Sequence, residues 1–162
     1  MNSKFDIINA SAGSGKTFAL TKRILTKILK SKDENYFKRI LALTFTNRAA
    51  AEMKSRVLKN LKDFSESQIK DSPTEMFEQV KKELALSSEK ITILAKERLN
   101  LLLHNYSFFQ IETLDSFNHH IIRTFYKELN LDPDFRVVIE AEEILDQSVS
   151  RIFENIENDK EI

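Results

Sequence analysis

The chain has no cysteine and no tryptophan, and only two prolines and two glycines in 162 residues. Without cysteine there is no disulfide framework and no thiolate metal site, which fits a reducing compartment and predicts a cytoplasmic protein. No apolar run approaches the ~20 residues that a membrane-spanning helix needs. The opening MNSKFDII also lacks the apolar stretch and small-residue cleavage site of an export signal. Membrane partners and secreted disulfide scaffolds are therefore not expected. The shortage of glycine is the most informative of these. Both glycines, Gly13 and Gly15, fall in one short stretch, NASAGSGKTF, residues 9–18. A chain that does without glycine elsewhere uses them here for backbone geometry.

What is present suffices for one compact domain with a core: 41% hydrophobic and 31% charged residues. The net charge of zero conceals a split. Residues 1–62 carry 14 Lys/Arg against 4 Asp/Glu, and residues 63–162 carry 11 against 21. A basic first part can mark a polyanion site. Scattered lysines also solvate amphipathic helices, so charge alone decides nothing.

The apolar pattern alternates between strand-like and helix-like segments. FDIIN (5–9) reads as a buried strand ending at the glycines. A helix from about Ser14 to Leu29 follows, with Leu20, Ile24 and Ile28 on one face and Leu25 and Leu29 beside them. RILALTF (39–45) reads as a second strand. The helix after it, from Asn47, places Ala50, Met53, Val57, Leu61 and Phe64 on one face. Residues 65–106 are acidic and contain Pro73. Their two helical patterns are Phe77, Val80, Leu84, and then Ile91, Leu94, Ala95, Leu99, Leu102. FFQIET (108–113) resumes the sheet, and a helix carrying Phe117, Ile121, Phe125 and Leu129 runs to the breaker Asp132-Pro133-Asp134. FRVVI (135–139) reads as extended, and a last helix carries Leu145, Val149, Ile152 and Ile156. Short strand-to-helix links predict an α/β fold with a parallel sheet and crossover helices. The spacing of Phe108, Phe109, Phe117 and Phe125 predicts core positions.

ASAGSGKT, residues 10–17, nearly matches the phosphate-binding loop G-x-x-x-x-G-K-[ST], and it lies between a strand and a helix as that loop does. The strict pattern has glycine where this chain has Ala10, at the strand end, where a small residue with ordinary dihedrals can serve. Ala10, Ser11, Ala12, Gly13, Ser14, Gly15, Lys16 and Thr17 are the expected phosphate cradle. The glycines let backbone N–H groups approach phosphate oxygens, and the helix start adds unpaired N–H groups and the positive end of its dipole. Lys16 supplies a compact cation for the β- and γ-phosphates, and Thr17 a hydroxyl ligand for Mg²⁺. ATP and Mg²⁺ are the cofactors this implies, with Lys16 the catalytic residue and Thr17 the metal ligand.

LALTFTNRAAAEMKSRV, residues 41–57, lies where the second strand becomes the second helix. Phe45 offers a ring face, Thr44, Thr46 and Asn47 offer hydrogen bonds, and Arg48 offers charge, a set suited to single-stranded nucleic acid. TFTNRAAAEMKSR closely resembles motif Ia of the UvrD/Rep-type superfamily 1 DNA helicases, with Arg48 where lysine is common. IETLDSFNHHIIRTF (111–125) resembles the motif Ib region of that family. Thr113 and Ser116 carry over as DNA-side residues. Asp115 stands where relatives often have histidine, and an aspartate would repel phosphate, so its role does not carry over. The form of the phosphate loop and the helices at 65–106 are most similar to the helicase–exonuclease branch, the type of AddA and of the RecBCD β-subunit.

The resemblance implies a P-loop NTPase (RecA-like) parallel sheet with flanking helices, incomplete, plus a helical insertion. Residues 1–64 would hold the phosphate loop and motif Ia, 65–106 the insertion, and 107–162 the motif Ib strand and helix and the start of a following helical region. DNA is the implied partner, as single strands or duplex ends. The rest of the same polypeptide, with a second motor domain, and partner helicase or nuclease subunits would complete the assembly. The Mg²⁺-binding Asp-Glu strand end of the family is not found. VVIEAEE (137–143) mimics it but has no aspartate ending the apolar run. The γ-phosphate arginines and an upstream adenine-contacting glutamine are not found either. The expectation is an N-terminal part of a larger ATP-dependent enzyme, inactive in hydrolysis by itself. A plain UvrD-like helicase, a stand-alone nucleotide or single-strand binding module, and a phosphate-loop kinase remain as alternatives.

Overall fold

A computed structural model describes residues 15–136, 145–146 and 148–153. The strand expected at 5–9, the loop residues Ala10 to Ser14, the stretch 137–143 and Ile156 lie outside the described residues.

Helix α1 spans Lys16–Lys30 and buries Ile24, Leu25, Ile28 and Leu29, the face that its periodicity predicts. Lys27 and Lys30 occupy its last turn, where positive charge suits the negative end of the helix dipole. A 3-10 turn, Tyr36–Arg39, then drives Phe37 fully into the core. Strand β1 is therefore shorter than the predicted 39–45 and spans Leu41–Thr44. Helix α2, Asn47–Ser65, buries Ala50, Met53, Val57, Leu61 and Phe64, all five positions of the predicted stripe.

Two further helices, α3 (Glu75–Leu84) and α4 (Ser88–His104), lie in the chain between β1 and the second strand. Each has an oxygen-bearing cap, as helix starts prefer. Thr74 Oγ1 accepts the Phe77 N–H at 3.2 Å, and Ser87 Oγ accepts the Lys90 N–H at 3.3 Å. The corner between them passes through Ala85 at φ +53°, left-handed backbone taken without glycine. After a 3-10 turn at Tyr106–Phe108, strand β2 spans Gln110–Thr113, beginning two residues later than predicted, and helix α5 spans Leu114–Thr124.

β1 and β2 pair in parallel, in the register Leu41–Gln110, Ala42–Ile111, Leu43–Glu112 and Thr44–Thr113. Ala42 and Ile111 face the core, whereas Leu41 and Leu43 on the other face are exposed. The core lies among the helices: α2 packs along α4, and α1 packs on α2 and α3. Phe64 and Phe77 meet edge to face, with centroids 5.1 Å apart. The described architecture is α/β, mostly helical, with a small parallel pair of strands. No helix among the described residues is long and apolar enough to cross a membrane.

The chain divides into two compact units, Met1–His119 and His120–Ile162, with the division inside α5. In the second unit the helix predicted to run through Leu129 ends at Thr124. Residues 125–131 follow as turns, with Leu131 N–H donating to the Tyr126 carbonyl at 2.9 Å and Asn130 at φ +54°. Phe125 and Leu129 are about half exposed, and α5 buries none of its own residues either, so burial does not set where this helix ends. Residues 145–146 and 148–153 are helical, but Leu145, Val149 and Ile152 are exposed rather than core. The aromatic prediction also needs correction. Phe109 is buried and Phe117 half-buried, but Phe108 and Phe125 are exposed. Phe108 ends the 3-10 turn, where its ring receives the Lys38 ammonium at 5.0 Å instead of core contacts.

Candidate functional site

The start of α1 is built around Gly15, at φ +83° and ψ 13°. Among the described residues, nothing lies within 4 Å of a Cβ added there. Glycine is thus needed for the left-handed backbone. No side chain caps the helix, and its first backbone bond runs from Ala19 N–H to the Gly15 carbonyl at 2.9 Å. Gly15, Lys16 and Thr17 are exposed. First-turn N–H groups, the positive end of a 15-residue helix and an exposed ammonium together suit an anion such as a phosphate. Ala10, Ser11, Ala12, Gly13 and Ser14 complete the predicted cradle outside the described residues.

The carboxyl ends of β1 and β2 bring the other predicted residues together. Thr44 Oγ1 donates to the Thr46 carbonyl at 3.0 Å, and Thr46 Oγ1 accepts the Ala49 N–H at 3.2 Å, capping α2. These bonds tie the chain down on both sides of Phe45, which is itself 92% exposed. A phenylalanine held by its neighbours yet wholly in solvent is available to a flat partner. Asn47 and Arg48 are exposed in the first turn of α2.

On β2, Thr113 is 5% exposed and acts as the cap of α5. Its Oγ1 accepts the Ser116 N–H at 3.2 Å and shares a 2.8 Å hydrogen bond with Ser116 Oγ. Ser116 is half-buried, and Asp115 is exposed in the first turn of α5, where its charge suits the helix dipole. The three threonines thus make the local hydrogen bonds of the two strand-to-helix turns, while Phe45, Asn47 and Arg48 project into solvent.

Two features are marked by no sequence motif. Arg98 is 4% exposed on the buried stripe of α4, with Nη2 3.4 Å from the Ser31 carbonyl at the end of α1 and Nη1 3.7 Å from Glu34. Its Nε and Nη1 have no hydrogen-bond partner. Periodicity does carry a signal for it, since Arg98 falls in step with Ile91, Ala95 and Leu102. Lys38 lies over Phe108, donates to Asn105 Oδ1 at 3.0 Å and approaches the Phe37 ring at 5.9 Å.

The described residues thus form an α/β domain in which a parallel strand pair feeds capped helices and a glycine-led helix start stands beside a Lys-Thr pair. The chain belongs to the UvrD/REP helicase N-terminal domain family, which matches residues 3–162. It is similar to an ATP-dependent helicase/nuclease subunit of the AddA type from Exiguobacterium sibiricum, with 34% identity over 151 residues, covering 92% of this chain and 11% of that protein. The corresponding helicase/nuclease subunits from Listeria innocua and Staphylococcus carnosus are 34% and 35% identical over 159 and 150 residues. Those alignments cover 95% and 91% of this chain and 11% and 10% of the relatives. The chain spans about a tenth of the length of the curated relatives it matches.

Proposed function

We propose that this chain is part of the first motor domain of an ATP-dependent DNA helicase–nuclease of the kind that repairs double-strand breaks, acting in the cytoplasm. The observation that carries the reading is Gly15 in left-handed conformation at the uncapped start of α1, with Lys16 and Thr17 exposed behind it. Residues 1–64 form the RecA-like phosphate-loop part, 65–106 a helical insertion containing α3 and α4, and 107–162 the second DNA-facing turn and the region after it.

The residues present fit a nucleotide triphosphate. Gly13, Gly15 and the N–H groups of the loop from Ala10 to Ser14 hold the phosphates. Lys16 offsets negative charge between the β- and γ-phosphates, where an ammonium is most effective as charge shifts toward the leaving group. Thr17 offers the hydroxyl that would hold Mg²⁺, which supplies further charge neutralisation when bound. A single strand would lie across the carboxyl ends of β1 and β2. Phe45 stacks on a base, Asn47 and Arg48 meet the backbone, and Thr44, Thr46, Thr113 and Ser116 fix the two turns that present them. In this reading, hydrolysis and movement along DNA draw on groups from a second motor domain. Partner helicase or nuclease subunits would complete the working enzyme.

The test is Lys16→Ala in the full-length enzyme. ATP hydrolysis and unwinding should fall by about 10²–10³ or more, with the circular dichroism spectrum unchanged. Normal ATP turnover by that variant would overturn the assignment.

A further inference from the structure

The strongest unassigned surface runs along the seam between α2 and α4, on the first unit. Two hollows of about 530 and 590 Å³ open there, and both are lined by Leu99 and Leu103. Leu58 extends the apolar floor from α2, and Leu103 is 54% exposed. Around that floor stand Lys54, Lys59 and Lys62 from α2 and Lys96 from α4. Glu97 is the one acidic side chain among the described residues lining either hollow. Lys59, Lys62 and Lys96 make no ion pair among the described residues. A leucine floor with a lysine rim is the complement of a helix with leucines on one side and carboxylates on the other.

We propose that this groove docks an acidic amphipathic helix of a protein partner. From Lys96 to His104 the groove follows α4 for about 12 Å, which accommodates roughly two turns of a partner helix. Leucines at i, i+3, i+4 and i+7 of that helix would fill the hollows over Leu58, Leu99 and Leu103, with its carboxylates meeting the lysine rim. Nucleic acid suits the surface less well. The floor is aliphatic, and the one aromatic residue at its edge, Tyr106, already carries the Lys54 ammonium over its ring at 5.4 Å. The groove is separate from Phe45 and from the start of α1, so the proposal does not depend on the nucleotide or DNA reading.

The test uses the full chain and a fluorescein-labelled synthetic helix of about 14 residues, with leucine at i, i+3, i+4 and i+7 and glutamate at most other positions. Anisotropy titration should show binding at least about tenfold tighter than that of the same peptide with lysine replacing glutamate. Leu103→Glu, and separately the double change Lys59→Glu with Lys62→Glu, should each weaken the acidic peptide about tenfold or more with an unchanged circular dichroism spectrum. Equal affinity for the two peptides overturns the proposal, as does undiminished binding by both variants. An oligothymidylate that loses affinity in the Lys59→Glu, Lys62→Glu variant while the acidic peptide does not would assign the groove to nucleic acid instead.

Discussion

Thr44 and Thr113 are register partners, the last pair of the parallel ladder between β1 and β2. Each stands where a strand gives way to a helix. Thr44 closes the turn into α2 through the Thr46 carbonyl, and Thr113 caps α5 through the Ser116 N–H. The two turns therefore leave the sheet side by side, from the same end of the ladder. In the proposed motor this pair sets the spacing between the two DNA-facing turns.

Thr113→Val keeps the shape of a side chain that is 5% exposed and removes its acceptor. The Ser116 N–H then loses its cap, at a cost of about 1 kcal/mol. Chemical denaturation should register that loss. Ser116→Ala, which leaves the backbone N–H bond in place, should cost less.

Phe45→Ala should leave stability within about 0.5 kcal/mol, because a ring that is 92% exposed contributes little packing. If the ring stacks on a base, single-strand affinity should fall by about 1–3 kcal/mol in anisotropy titrations of the full-length enzyme. Unchanged affinity would remove Phe45 from the proposed DNA contacts.

Gly15→Ala and Lys16→Ala separate backbone geometry from charge at the start of α1. Alanine at φ +83° should cost about 1–2 kcal/mol of stability through its backbone strain. Lys16→Ala should leave the melting temperature nearly unchanged and abolish nucleotide-dependent stabilisation of the full-length enzyme in thermal-shift measurements.

Arg98 tests a buried cation. Replacing it with methionine fills similar volume and removes two nitrogens that lack hydrogen bonds, at the cost of a loose ion pair with the exposed Glu34, so stability should change by less than about 1 kcal/mol or rise. Arg98→Ala should cost about 2–4 kcal/mol through the cavity it leaves. Equal losses in the two variants would mean that the contact with the Ser31 carbonyl matters more than packing.

The helices are legible in the sequence because their faces are set by burial with a regular period. Every residue of the predicted α2 stripe is in the core, as are Phe77 and Val80 of α3 and Ile91, Ala95 and Leu102 of α4. Strand starts are not, since β-branched and aromatic runs do not show where a 3-10 turn will intervene. Phe37 leaves the strand to fill the core, and Tyr106–Phe108 coils before β2 begins. The end of α5 is not legible either: the apolar period continues through Leu129, while the helix stops at Thr124 and Asn130 takes left-handed backbone. At the candidate site, residue types and order single out stretches that the fold places at two strand-to-helix turns, with Phe45 exposed in the first. The bonds of Thr46 and Thr113 to the helix starts depend on backbone positions that composition does not reveal.

Ala85 carries a consequence for how this chain can vary. It lies on the surface with its side chain in solvent, a position at which any residue would ordinarily be tolerated. Its φ of +53° narrows that freedom, since after its N–H closes the last turn of α3 on the Lys81 carbonyl, left-handed backbone at Ala85 turns the chain away toward α4. Glycine and asparagine enter that conformation readily, whereas a valine or isoleucine would strain it. Drift at this exposed corner is therefore policed by main-chain torsion alone, and a chain sparing of glycine has settled there for the smallest side chain that still carries a Cβ.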